Sequence, residues 1–411
     1  MPEKLLSNDW SALRVLVVDD QEHVRTFNKS VLRAMGITDV TLADGGRAAI
    51  AAVTEPGAAY DFVICDLRMP DSDGVETIRA LASLGIEAGV VITSVEDERV
   101  IESAGLLVSQ QGLHLLGEIQ KPLSADKLAP VLARLAARRA PAVVPPPRPS
   151  ADELQQALDR HELFLVYQPQ IGMRSGELAG AEALVRWRHP TAGVLDAEAF
   201  VPMAEQSAPL IGRLTAFVLD EALGFITRWR EAGHEHAISV NLPSRTLEDL
   251  DFPDRLEQLL VTRGLEPPVL TIEVSEAQLS IDTVRTRDVV TRLRLKRFGL
   301  AIDNFGRGTS GLHRLHETPF SELKIDREIV HGCATSAPKR SIVEASLSLA
   351  RSLGVTSVAE GVGDREEWNL LEKLGCDRAQ GFFIARPMPE NGLEAWATQW
   401  LLREHSGARS R

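Results

Sequence analysis

Cysteine is scarce: three occur in 411 residues, Cys65, Cys333 and Cys376. No two have zinc-ligand spacing, so neither a disulfide framework nor a cysteine zinc site is expected. Each reads as a packing thiol. Long apolar runs are missing too. No stretch reaches the about 18 uninterrupted apolar residues of a membrane-spanning helix, so none is expected. The opening MPEKLLSNDW lacks the apolar core of a signal peptide, so the expected location is the cytoplasm. A basic excess is also absent. The formal charge is −13, with 14 basic against 20 acidic residues in 1–139 and 31 against 38 in the remainder. A duplex-DNA-binding domain is therefore not expected. A small anionic ligand held through metal ions is compatible with that balance. No internal repeat is found.

What is present is ordinary globular composition, 44% hydrophobic and 25% charged. At about 100–200 residues per domain the length suggests two to three domains. The segment PAVVPPPRPS, residues 141–150, holds five prolines and reads as an extended spacer. It divides the chain into residues 1–139, a proline-rich linker 140–151, residues 152–403 and a polar tail 404–411. In the first segment, short apolar runs at 13–20, 39–44, 62–66, 89–94 and 115–122 alternate with helical patterns. That alternation predicts an α/β fold with a doubly wound parallel sheet. In the second, runs at 163–169, 178–187, 237–242, 269–275, 299–305, 322–326, 355–361 and 378–384 alternate with helical stretches. Eight strands over this length predict a (β/α)₈ barrel.

In the first segment Asp19 and Asp20 close the first run and Asp66 closes the third. Functional groups in such sheets gather at strand carboxyl ends. Converging carboxylates repel one another, and a divalent cation relieves that repulsion. Such a cation can also orient a phosphoryl group for attack by a carboxylate. Lys121 can neutralise the added charge, and Ser94 can hydrogen-bond a phosphoryl oxygen. The motifs VVDD at 17–20, DLRMPDSDG at 66–74, the hydroxyl in the fourth run and Lys121-Pro122 resemble the receiver domain of two-component response regulators over residues 13–139. The resemblance implies a flavodoxin-like fold. It makes Asp66 the phospho-acceptor and a cognate sensor histidine kinase the partner. Mg²⁺ would be held by Asp19, Asp20, Asp66 and the Arg68 carbonyl. The switch pair would be Lys121 and Ser94, or Thr93 if the fourth run aligns one residue earlier. The family's aromatic switch residue is not evident, and Ile119 stands near its position.

The second segment carries Glu182, Asn241, Glu273, Glu276, Asp303, Lys324, Asp326, Glu360 and Gln380, mostly near the ends of its runs. Hard oxygen ligands without a recurring histidine suit Mg²⁺ or Mn²⁺ rather than zinc. A paired metal site can activate water and stabilise the leaving oxygen of a phosphodiester. The motifs YQPQ at 167–170, GAEALVRWRHP at 180–190, NLPS at 241–244, EVSE at 273–276, AIDNFG at 301–306, LKID at 323–326, AEGV at 359–362 and QGFFIARPMP at 380–389 resemble the Glu-Ala-Leu (EAL) phosphodiesterase domain over about 152–395. That family hydrolyses cyclic di-GMP to linear pGpG. The resemblance implies a modified TIM barrel with one antiparallel strand and a homodimer formed through the barrel. Glu182, Asn241, Glu273 and Asp303 would bind one Mg²⁺ or Mn²⁺. Asp303 would bridge to a second, beside Asn304 and Glu360. The catalytic set would be Glu182, Lys324, Glu360 and Glu276. In it Lys324 holds the attacking water, Glu360 is a general base or a metal ligand, and Glu276 braces a loop. Gln168, Leu184, Arg186 and Gln380 would contact substrate.

This chain departs from that pattern at four places, the mildest being Ser275, which replaces a threonine and keeps the hydroxyl. Asn304 stands where the family has a second aspartate, which predicts a weaker second metal. The following loop reads RGTSG at 307–311 instead of TGYSS. Gly363 replaces the second glutamate of EGVE. The reading is therefore a phosphorylation-controlled phosphodiesterase. The alternatives are a silent cyclic di-GMP-binding module and an output that works by protein contact alone. No segment resembles a helix-turn-helix, so promoter binding is not expected.

Overall fold

The computed structural model describes residues 10–70, 73–96, 98–110, 113–139, 149–279, 284–307 and 318–405. The N-terminal nine residues, Asp71 and Ser72 of the aspartate motif, most of the proline-rich linker, most of the 307–311 loop and most of the tail lie outside them. The chain divides into two compact units, residues 1–144 and 145–411. Among the described residues no helix is long and apolar enough to cross a membrane.

The first unit is a five-stranded parallel sheet. Its strands are β1 (Arg14–Val18), β2 (Asp39–Ala43), β3 (Phe62–Asp66), β4 (Gly89–Ser94) and β5 (His114–Gln120), in spatial order β2-β1-β3-β4-β5. Helices α1 (Glu22–Ala34), α2 (Gly46–Thr54), α3 (Gly74–Ser83), α4 (Glu98–Gln110) and α5 (Ala125–Arg139) alternate with them. The strands read as continuous apolar runs because both faces are covered. Val15, Val17, Phe62, Ile64 and Val91 pack with Leu32 of α1 and with Leu128 and Leu132 of α5. Leu16, Val18, Val63, Cys65 and Ile92 pack on the other face with Ala49, Ile78, Leu81 and Ala104. Asp73 caps α3 by accepting from Glu76 N at 2.7 Å. A Cβ on Gly74 would lie 2.1 Å from the Asp66 carbonyl oxygen. Only glycine lets α3 begin this close to the end of β3.

The second unit has nine strands: β6 (Leu163–Gly172), β7 (Leu178–His189), β8 (Gly193–Asp196), β9 (Ala237–Asn241), β10 (Leu270–Ser275), β11 (Gly299–Phe305), β12 (Glu322–Ile325), β13 (Thr356–Ala359) and β14 (Arg378–Ala379). Their order is β6-β14-β13-β12-β11-β10-β9-β7-β8, and a β6–β7 pairing closes eight of them into a ring. β6 runs antiparallel to both its neighbours, whereas the other ring pairs are parallel. The outer faces of the strands form one apolar core with the surrounding helices, including Leu223 and Ile226 of helix Ala208–Glu231.

Two elements differ from the sequence expectation. β8 was not foreseen. It pairs antiparallel with β7 outside the ring, and only one of its four residues is buried, so it shows no alternating pattern. The apolar run at 378–384 is a strand only over Arg378–Ala379. A Cβ on Gly381 would lie 2.2 Å from Val362 O, so the chain passes directly over that backbone. It then turns, with Ile384 N donating to Gly381 O at 3.0 Å. Burial of a turn accounts for the apolar residues there.

Candidate functional site

The barrel interior gathers the charged residues at one end. Alternation along β7 sends Glu182, Leu184 and Arg186 to one face. Gln168 of β6 stands in register opposite Glu182. Asn241 ends β9, Glu273 and Asp303 lie near the ends of β10 and β11, and Glu360 follows β13 directly. Lys324 of β12 is at the centre and only 1% exposed. Its Nζ lies 2.7 Å from Glu273 Oε2 and from Glu360 Oε1, and 3.4 Å from Glu182 Oε2 and Asp303 Oδ1.

Amides order these carboxylates. Asn241 Nδ2 donates to Glu182 Oε1 at 2.7 Å. Gln380 Nε2 donates to Glu182 Oε2 at 2.7 Å and to Gln168 Oε1 at 2.9 Å. Gln170 Nε2 donates to Gln380 Oε1 at 3.0 Å and so orients that amide. Gln168 Nε2 donates to the Ala385 carbonyl. Asn304 takes a left-handed backbone, φ 56°, which asparagine tolerates. Its Nδ2 donates to Asp303 Oδ2 at 2.6 Å. Glu276 opens the short helix after β10 and accepts from Gly306 N at 3.1 Å, so it braces the chain leaving β11.

Burial favours the neutral form of a carboxylate, and neighbouring charge decides the outcome. At Glu182 burial acts upward, but Lys324, Gln380 and Asn241 outweigh it and hold the carboxyl below its ordinary range. Burial, then the Glu182 charge, pushes Glu273 well above that range. Burial pushes Glu360 up to about 8, with Lys324 opposing and Asp303 and Glu182 adding to the rise. Burial alone would discharge Lys324. The carboxylates of Asp303, Glu182, Glu273 and Glu360 reverse that effect and keep it an ammonium.

Four carboxylates face one ammonium, so a surplus of negative charge is buried. Glu273 Oε1 and Asp303 Oδ1 are buried and accept no hydrogen bond, although the latter lies near Lys324. Unpaired carboxylate oxygens among all-oxygen donors fit a divalent cation of the Mg²⁺ or Mn²⁺ class. Arg186 stands apart from this cluster. Its Nε pairs at 2.8 Å with Asp196 Oδ1, its register partner on β8. Leu184 is half-buried beside them. Neither Asp196 nor Gln170 was assigned a role from sequence. Gln170 sat inside a quoted motif, whereas nothing in the linear pattern pointed to Asp196.

The five-stranded unit has its own cluster. One carboxylate oxygen from each of Asp19, Asp20 and Asp66 lies within 4.8 Å of the others. Lys121 Nζ reaches Asp19 Oδ2 at 2.6 Å and Asp66 Oδ2 at 2.7 Å. Asp20 Oδ1 is buried without a hydrogen-bond partner, which again fits a cation. Burial raises the Asp66 carboxyl, Lys121 offsets part of that, and Asp19 adds to it. The two candidate hydroxyls part company. Thr93 is the register partner of Asp66 and shares its face of the sheet, with its hydroxyl directed to Cys65 O at 3.4 Å. Ser94 lies on the other face, and its hydroxyl accepts from Glu96 N at 3.1 Å. The Arg68 side chain is exposed and pairs with Glu96 at 3.4 Å. Ile119 is buried against α5.

Two family profiles match the chain. The response regulator receiver domain matches residues 15–133, and the EAL domain matches residues 151–387. Cyclic di-GMP phosphodiesterase RocR of Pseudomonas aeruginosa is 31% identical over 385 residues, covering 92% of this chain and 97% of its own. The bifunctional diguanylate cyclase/cyclic di-GMP phosphodiesterase MucR of the same organism is 37% identical over 244 residues, 59% of this chain and 36% of its own. A solved PaMucR phosphodiesterase in complex with c-di-GMP matches at TM-score 0.57 and 37% identity. It covers 59% of this chain and 98% of that one.

Proposed function

The chain belongs to the EAL domain family and carries a response regulator receiver domain ahead of the EAL domain; on that premise we propose that it hydrolyses cyclic di-GMP to linear pGpG under control of phosphorylation at Asp66. The set of four carboxylates around Lys324, with buried oxygens on Glu273 and Asp303 that accept no hydrogen bond, carries this reading. Glu182, Asn241, Glu273 and Asp303 would hold the first metal. Asp303, Asn304 and Glu360 would hold the second. When bound, the two ions supply Lewis acidity and lower the pKa of water at the scissile phosphodiester.

The remaining work belongs to the chain's own residues. Lys324 orients the attacking water and offsets phosphate charge. Glu360, 2.7 Å from Lys324 Nζ, would act either as a ligand of the second metal or as general base to the attacking water. Gln168, Leu184, Arg186 and Gln380 seat the dinucleotide, and Asp196 fixes the direction of the Arg186 guanidinium. In the receiver Asp66 accepts the phosphoryl group from a sensor histidine kinase; Asp19, Asp20, Asp66 and the Arg68 carbonyl would hold Mg²⁺. Lys121 and one of the two strand-end hydroxyls, Ser94 or Thr93, then face the phosphoryl group. The barrel forms the homodimer contact.

Product identification is the test. Cyclic di-GMP incubated with the full chain and Mn²⁺ is expected to give linear pGpG by chromatography, and no pGpG with either metal argues against the reading. A second reading, a receptor that binds cyclic di-GMP without turnover, is favoured by Asn304. Its amide donates to the shared ligand Asp303 instead of adding a charge. Binding by equilibrium dialysis without pGpG would select it.

A further inference from the structure

The loop Glu360–Asp364 joins the barrel centre to helix Arg365–Leu374. Glu360 at its head touches Lys324. Gly363, further along, lacks the carboxylate that the EAL pattern places there. The fold brings another carboxylate beside it, with Glu367 Oε2 3.5 Å from where a Cβ on Gly363 would lie. Glu367 is 1% exposed. Its Oε2 accepts from Gly363 N at 2.7 Å, and its Oε1 accepts from Gly332 N at 2.6 Å. Its own N–H is held by Asp364 Oδ1 at 2.8 Å. His331 Nδ1 lies 3.1 Å from Oε1.

In this third position of a helix, a glutamate ordinarily reaches back to the N–H of the capping residue. Glu367 reaches one residue further and crosses to a second loop. That second loop follows β12, the strand that carries Lys324. A buried carboxylate is costly unless its oxygens are satisfied, and two short charge-assisted bonds satisfy this one. The opposite edge of the Glu360 loop is fixed by Val362, whose N–H donates to Gln380 O and whose carbonyl accepts from Phe383 N. At the head of the loop Glu360 N donates to Ile325 O at 3.1 Å, and Glu367 fastens its far end at Gly363.

The geometry points to Glu367 as a positioning residue for Glu360. It ties the Glu360 loop to the β12 loop and so sets the affinity of the second metal. This rests on the phosphodiesterase reading for its metal assignment. The demand is greater here than in a chain with two aspartates, because Asn304 leaves Asp303 and Glu360 as the charged ligands of that site.

Mn²⁺ titration of the full-length protein, followed by electron paramagnetic resonance, tests the inference without turnover. The receiver acids bind metal equally in each variant, so differences report the barrel. Glu367→Ala is expected to weaken one barrel Mn²⁺ by about 10–100-fold, the usual effect of losing a group that orients a ligand. The other barrel Mn²⁺ and the KM for cyclic di-GMP stay within about twofold. Glu367→Gln keeps one acceptor and is expected to fall between. Folded variants with both Mn²⁺ affinities within twofold of the parent overturn the inference, whatever their melting temperature. If Glu367→Ala does not fold, Glu367→Gln carries the same readout, and failure of both to fold makes Glu367 a folding residue and overturns the inference. A parent protein that binds Mn²⁺ but makes no pGpG contradicts the proposed activity, while the titration still decides the part played by Glu367.

Discussion

One ammonium, that of Lys324, is set against the carboxylates of Glu182, Glu273, Asp303 and Glu360 in a largely buried cluster. Removing one of those carboxylates takes away a ligand and loosens the amides aimed at it. Glu182→Ala strands the amide groups of Asn241 and Gln380. It is expected to lower kcat by at least about 10²-fold, and full activity in that variant would refute the metal assignment. Asn304→Asp adds charge without changing shape, and aspartate also tolerates the left-handed backbone there. The expected outcome is half-maximal turnover at an on the order of tenfold lower Mn²⁺ concentration, read from initial rates across a metal series. An unchanged metal requirement would mean that Asn304 is not a limiting ligand. Asp19, Asp20 and Asp66 were legible because they close apolar runs, and Glu273, Asp303 and Glu360 because they lie near the ends of theirs, whereas Glu182, inside β7, stood out through a motif of the family resemblance. The partner of Arg186 was not, because Asp196 reaches it through pairing with a strand that has no alternating pattern. The Gln170–Gln380 bond joins residues 210 positions apart, a distance that no local pattern spans.

Elements place these residues through close backbone approaches. Gly381 is the plainest case, since a Cβ there would meet Val362 N and O at 2.3 and 2.2 Å. Neither backbone can yield without moving Gln380, whose amide touches Glu182. Gly381→Ala is expected to cost about 1–3 kcal/mol through overpacking and to raise KM. A melting curve and a saturation curve check both, and a variant that leaves both unchanged would contradict the packing account. The same run shows where sequence reading fails at this scale. Residues 378–384 are apolar and bounded like a strand, yet buried turns and buried strands share that signature. β8 fails in the opposite sense, being a real strand with one buried residue.

For the whole molecule, each of the two units gathers its own cluster of carboxylates around a lysine. The five-stranded sheet and the eight-stranded count followed from alternating runs and linear order. The antiparallel direction of β6 did not, because inward and outward residues alternate identically in either direction. That feature came from the family resemblance. Coupling between the units is a prediction about the full chain. Asp66→Asn removes the carboxylate that would take the phosphoryl group, so its turnover is expected not to respond to a small-molecule phosphodonor that alters the parent's rate. A response that persists in Asp66→Asn would place control elsewhere.

Turnover is read most directly from the initial rate of cyclic di-GMP conversion by the full chain. The assay would be run across Mg²⁺ and Mn²⁺ concentrations, with and without the phosphodonor. The account predicts linear pGpG at a rate that rises with metal and vanishes on chelation. No conversion with either metal, in either phosphorylation state, while the nucleotide still binds, would contradict it. The barrel would then be a receptor that keeps the pocket without the chemistry.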